Sequence, residues 1–148
     1  MSKHSEMIRS LLENPRPLQK ALNLPDIWIR QVEAPFGVNE RADMIFHDGF
    51  YTRDGCVLSP PQNWKCYVLE LKSDVADHEV VGQLKKAVDA FEAVGRSTNH
   101  WNHVVGVAVA PEYTSSGLAL LKQFGYHALV WSEFQGKITL RNTLRLLE

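Results

Sequence analysis

The segment KCYVLELKSD, residues 65–74, carries Glu70 and Lys72 two positions apart at the end of an otherwise apolar run. Strand side chains alternate between faces, so Glu70 and Lys72 point the same way as Cys66 and Val68, while Tyr67, Leu69 and Leu71 point the other way. An acid and an ammonium therefore stand side by side where an apolar face ends. Upstream, RADMIF holds Asp43, with Arg41 and Ile45 expected on its face and Ala42, Met44 and Phe46 on the opposite one. If these two strands are neighbours, facing side chains lie about 5 Å apart and Asp43 can lie next to Glu70. Carboxylates that close repel and raise a pKa unless something neutralises them. A divalent cation does so, and two carboxylates completed by waters and a substrate phosphate suit Mg2+. Lys72 would then stand beside the metal, where an ammonium can hold or help deprotonate a water, or stabilise charge on phosphate oxygens.

The elements that must position these groups are legible in outline. SEMIRSLLENP sets Met7, Ile8, Leu11 and Leu12 at helical spacing before Pro15 and Pro17, and PLQKAL makes a short second turn. DIWIRQVEAP and RADMIFHD read as two strands joined through FGVNE. A long excursion, 48–64, with two Asp-Gly pairs and a Pro-Pro pair precedes the strand at 65–73. A helix is expected over about Asp77 to Val94, with Val80, Leu84, Ala87, Val88, Phe91 and Val94 as its apolar stripe, Asp77 as cap and Gly95 as stop. HVVGVAVAP reads as a strand covered on both faces, TSSGLALLKQFG as a capped helix, and YHALVW as a further buried strand. The tail from Glu133 is ambiguous between strand and helix. This order, αβββαβαβ, predicts an α/β sandwich around a mixed sheet with parallel crossovers in its second half.

Composition bounds the function. With 148 residues, 45% of them hydrophobic and 22% charged, the chain is expected to form a single domain over 1–148 with its own core. A net charge of −1 excludes a global basic field, so any phosphate-binding surface must be local. MSKHSEMIRSLL lacks the apolar core of a signal peptide, which leads us to expect a cytoplasmic protein with Cys56 and Cys66 as free thiols. VVGVAVAP is too short to span a bilayer, for which about 20 residues are needed. No membrane partner is expected.

Asp43, then Glu70-Leu71-Lys72 on the next strand, then a helix bearing Gln83, resembles the PD-(D/E)XK nuclease superfamily over roughly Ser5 to Trp131. Within it the chain looks closest to the group containing the carboxy-terminal domain of NucS-type endonucleases. The shared features are Glu6 and ENP in the opening helix, Arg41-x-Asp43 on the second strand, and Gly82-Gln83 after the E-x-K strand. The resemblance implies a restriction-endonuclease-like three-layer sandwich and a divalent-metal-dependent endonuclease that hydrolyses DNA to 5′-phosphate products, with Mn2+ substituting for Mg2+. By position, Asp43, Glu70 and the Leu71 carbonyl would ligate metal, and Lys72 would serve the attacking water. Gln83 would orient the metal shell or contact nucleic acid, and Glu6 would be an accessory carboxylate. The chain departs from the group in having no proline before Asp43, in the long excursion, and in lacking the separate amino-terminal DNA-binding domain of NucS proteins. A homodimer or a partner DNA-binding protein is therefore expected, because one small domain offers limited contact area.

Each residue also has an ordinary explanation. An E-x-K alone suits an exposed edge strand of mixed charge, and it is the addition of Asp43, Gln83 and the element order that favours a site. A carboxylate such as Glu6 in a first helical turn is favoured by the dipole alone. Arg41 is assigned to nucleic acid with Gln83 and Lys85, although Lys20, Lys85, Lys86 and Arg96 are of a type more often solvated. His47 and His78 flank the proposed site in sequence, as surface histidines within reach of substrate. His100 and His103 form an H-x-x-H in a loop without nearby cysteines, which does not suit zinc. The rival reading is a non-catalytic nucleic-acid-binding or assembly module that keeps the nuclease fold. A third is an unrelated α/β domain.

Overall fold

The computed structural model describes residues 2–24, 26–48, 65–98, 101 and 103–143, with the backbone alone at 96–98. The excursion at 49–64 with Cys56, the Arg96 side chain, His100 and residues 144–148 lie outside the described residues. The elements are α1 (Lys3–Glu13), α2 (Arg16–Leu22), β1 (Trp28–Gly37), β2 (Glu40–His47), β3 (Lys65–Leu71), β4 (Val75–Ala76), α3 (His78–Thr98), β5 (His103–Ala110), β6 (Glu112–Tyr113), α4 (Ser115–Phe124), β7 (His127–Phe134) and β8 (Lys137–Asn142).

Six strands form one sheet in the order β1-β2-β3-β5-β7-β8, and β4 pairs with β6 in a small second sheet. The hairpin β1–β2 and the pair β2–β3 are antiparallel, whereas β3–β5 and β5–β7 are parallel, as the alternation of strand and helix predicted. The sheet has helices on both faces. Met7, Ile8, Leu11, Leu18 and Leu22 of α1 and α2 pack on Met44, Phe46, Leu69, Leu71, Val107 and Val109. Val81, Leu84, Val88 and Phe91 of α3 and Leu121 of α4 pack on Ile45, Cys66, Val68 and Ala108 of the other face. The result is the expected three-layer sandwich, and the alternation read from 65–71 holds across both cores. Cys66 is buried and free, and burial pushes its thiol up to about 12, which makes it an inert packing group.

Local chemistry fixes the boundaries. Ser2 caps α1 by accepting from Ser5 N–H at 3.1 Å, and Asn14, ahead of Pro15, leaves the helical region. Asp77 Oδ1 accepts from the N–H groups of Glu79 and Val80, both at 3.1 Å, as a cap should. Gly95 does not stop α3. It lies under Trp101, whose indole a Cβ there would strike, and the helix continues to Thr98. The stripe of α3 is also rotated from the one expected: Val81 is fully buried and Val94 is 46% exposed. Of the ambiguous tail, Lys137–Asn142 is a strand, since Gln135 and Gly136 at φ +52° and +77° make the two-residue turn that returns β8 along β7. Among the described residues no helix is long and apolar enough to cross a membrane.

Candidate active site

β2 and β3 pair from His47↔Cys66 to Met44↔Leu69, and one step further the register sets Asp43 opposite Glu70. There the ladder ends. Leu71 N–H donates instead to the Asp43 carboxylate, at 2.7 Å from Oδ2, while Lys72 N–H donates to the Val109 carbonyl of β5 at 2.8 Å. A strand residue directs its N–H and C=O to the same side, and the next residue directs them to the other. The Leu71 carbonyl therefore faces the same slot between β2 and β3 that holds Asp43.

Asp43 reaches this slot because the alternation of β2 slips. Strict alternation placed Ala42 with Met44 and Phe46, but Ala42 packs with Ile45 on the α3 side while Met44 and Phe46 pack on the α1 side. The β1 residue between the pairs Val32↔Met44 and Ala34↔Ala42 is Glu33, whose φ is +52°. That left-handed conformation is unfavourable for a residue with a Cβ, and it falls on the β1 residue that lies across from Asp43. The Asp43 carboxylate lies at the strand gap, where it accepts from Leu71 N–H.

Glu70, half-buried, hydrogen-bonds to Asp43. Burial first, and the Asp43 charge second, push its carboxyl up to about 8. Near neutrality the Glu70 carboxyl therefore keeps its proton in the absence of a cation. The Lys72 side chain is exposed on the Glu70 side of the strand, and its ammonium makes no ion pair among the described residues. Arg41, opposite Pro35 of β1, is likewise exposed and without an ion pair among the described residues. Gln83 is exposed on the flank of α3 toward β2; one turn on, Lys86 reaches Glu40 of β2 at 3.8 Å.

Three expected placements are corrected. Lys85 stands about 200° round α3 from Gln83; its ammonium lies 2.6 Å from Asp89 and over the Phe124 ring. There it lines a 280 Å³ pocket with His103 and Tyr126, where β5 and β7 begin, the end of the sheet opposite Leu71. Glu6 is exposed about 150° from the buried face of α1 defined by Met7, Ile8 and Leu11. His47 is fully buried at the far end of β2 and stacked with Trp28 at 6.4 Å, so it is no surface group. His78 is exposed at the start of α3.

The side chain that α1 does bring to the site is His4, with Nε2 at 3.2 Å from Asp43 Oδ1. Its signal was present in the sequence: His4 precedes Met7 and Ile8 by three and four residues and so shares their face. Beside it a 430 Å³ groove, lined by Ile8, Leu12, Val32 and Glu33, opens between α1 and β1. Among the described residues no three acidic, histidine or cysteine side chains converge as a metal-ligand set. The protein donors are two abutting carboxylates and one main-chain carbonyl. Hard oxygen donors, few in number and with a surplus of negative charge, fit a small divalent cation that keeps most of its waters.

No family model and no curated protein matches the chain. Solved structures do. A repair endonuclease from Pyrococcus abyssi superposes with a TM-score of 0.61 at 26% identity, over 86% of this chain and 46% of that one. An EndoMS complex with double-stranded DNA gives 0.62 at 25% identity, over 86% and 44% of the two chains. EndoMS in its apo form gives 0.55 at 25% identity, over 89% and 47%. The chain thus spans less than half the length of the repair endonucleases it resembles.

Proposed function

We propose that this chain, a NucS-type PD-(D/E)XK nuclease-like domain with EndoMS-type repair endonucleases as its structural neighbours, is a divalent-metal-dependent DNA endonuclease of the cytoplasm. The observation that carries the reading is the pairing of Asp43 with Glu70 in a slot that also faces the Leu71 carbonyl, with the exposed Lys72 beside it. A buried carboxyl that holds its proton beside a second acid has a use when a dication replaces that proton.

Asp43, Glu70 and the Leu71 carbonyl would hold Mg2+ or Mn2+. When bound, the ion neutralises phosphate charge and acidifies a water. Lys72 orients the attacking water and takes up developing negative charge, and among the described residues no ion pair engages it. Attack of the water oxygen on phosphorus breaks the bond to the 3′ oxygen, leaving a 3′-hydroxyl and a 5′-phosphate. Arg41 steadies the neighbouring backbone phosphate, and Gln83 supports the metal shell or the nucleic acid from α3. A second copy of the chain or a DNA-binding partner supplies further contact area.

The test is incubation of the purified protein with labelled single-stranded, duplex and forked DNA, with and without Mg2+ or Mn2+, using Glu70→Ala as control. Duplex is the first substrate to try, since one neighbour is a complex with double-stranded DNA. Cleavage that needs metal and is lost in the variant is expected. Cleavage unchanged in the variant, or DNA bound equally well with chelator and never nicked, overturns the proposal; the second result identifies a binding module.

A further inference from the structure

The Asp43 carboxylate is held from two directions. Leu71 N–H of β3 takes Oδ2 at 2.7 Å, and His4 of α1 takes Oδ1 at 3.2 Å. A carboxylate only accepts, so the His4 nitrogen facing it is the donor. An ionised carboxylate offers about four lone-pair sites, so these two contacts leave room on Asp43 for Glu70 and, once a dication displaces the Glu70 proton, for that cation. His4 therefore does not compete with a cation for Asp43. It acts on the one freedom the aspartate retains, rotation of the carboxylate about its last torsion, which has only broad preferences of its own.

His4 is suited to that task by its mounting. It lies in the first turn of α1, behind the Ser2 cap and ahead of the buried Met7 and Ile8. Lys3 ties the same turn to Glu133 of β7 at 3.2 Å. The Asp43 side chain is 17% exposed and that of His4 is 40%, so the imidazole contributes little to the core.

We infer that His4 is a positioning residue, whose Nε2–H fixes the Asp43 carboxylate in the orientation that receives a divalent cation. The inference rests on Asp43 and Glu70 forming the metal site proposed above. Outer hydrogen-bond partners of metal ligands typically contribute 10–100-fold in metal affinity.

Mn2+ binding measured calorimetrically on the folded protein tests it, alongside cleavage as a function of Mn2+ concentration. His4→Ala is expected to weaken Mn2+ binding by about 10–100-fold. It should raise the Mn2+ needed for half-maximal cleavage while leaving the rate at saturating Mn2+ near that of the parent. His4→Gln, which keeps an N–H donor, should recover most of the affinity. His4→Leu, of similar bulk without a donor, should behave as the alanine variant and separates hydrogen bonding from packing if alanine lowers stability. Parental Mn2+ affinity in the alanine and leucine variants, or a glutamine variant as impaired as they are, overturns the inference. Glu70→Ala distinguishes the two levels. If it loses Mn2+ while His4→Ala keeps it, only the role of His4 falls; if it binds Mn2+ as the parent does, the metal site falls and His4 with it.

Discussion

The main-chain N–H of Leu71 donates to Asp43 Oδ2 across 2.7 Å, one residue beyond the last pair of the β2–β3 ladder. One carboxylate thus closes a strand end and faces Glu70, which couples the local stability of the sheet to the chemistry of the site.

Asp43→Ala removes the acceptor and leaves Leu71 N–H in a partly buried slot without a partner. A loss of about 1–3 kcal/mol in urea denaturation is expected. Asp43→Asn retains a carbonyl oxygen in the same place and should lose less, yet both variants should fail to cut DNA. Equal destabilisation by the two would show that the hydrogen bond is not what holds the strand end.

Glu70→Ala and Lys72→Ala should each abolish metal-dependent cleavage, by about 100-fold or more, since the first removes a ligand of the ion and the second an ammonium that stabilises charge at the reacting phosphate. Their folding should survive. The Lys72 side chain is exposed, so its removal should change stability by no more than about 0.5 kcal/mol. Undiminished cutting by both variants would reject the assignment.

Stability without metal should depend on pH through Glu70. Its carboxyl is raised from 4.5 to about 8 in the folded protein, by burial and then by Asp43. Between those values the native state keeps a proton that the unfolded chain has released, so stability is greatest at the acid side of the window and declines as pH rises through it. The Tm of the metal-free protein should fall from about pH 5 to about pH 8, and Glu70→Gln should flatten that decline. A Tm that rises across the window in the parent would contradict the pairing.

Arg41 and Lys85 should separate cleanly. Arg41→Ala should weaken DNA binding and reduce the salt slope of log K by about 1, as loss of one phosphate contact does. Lys85→Ala removes a side chain engaged with Asp89 and Phe124 at the other end of the sheet, and DNA affinity should stay at the parental level. Binding assays across a salt series read both.

The strand KCYVLEL, the covered strand HVVGVAVA and the capped helix at 115–124 could be read directly, because alternation, continuous apolarity and capping are properties of neighbouring residues. That Asp43 and Glu70 lie on adjacent strands followed from assuming that consecutive strands pair, but the facing of their carboxyls depends on a slip in the alternation of β2 that the sequence does not signal. The α3 stripe was harder. Val80 and Val81 are equally apolar, and only packing against β3 and β5 decides that Val81 is inside and Val94 outside. Gly95 reads locally as a stop, but the Trp101 ring seated on it makes it a packing position.

What the order of residues determined by itself was the set of elements and the acids and amine they carry, since those depend on periods of two and 3.6 residues along the chain. Which way Asp43 turns, that His4 rather than Glu6 meets it, and that Lys85 is engaged elsewhere were decided only by the tertiary structure. The left-handed backbone at Glu33 and the way α1 and α3 dock on the sheet are set by contacts among residues far apart in the chain, and a local pattern carries no record of them.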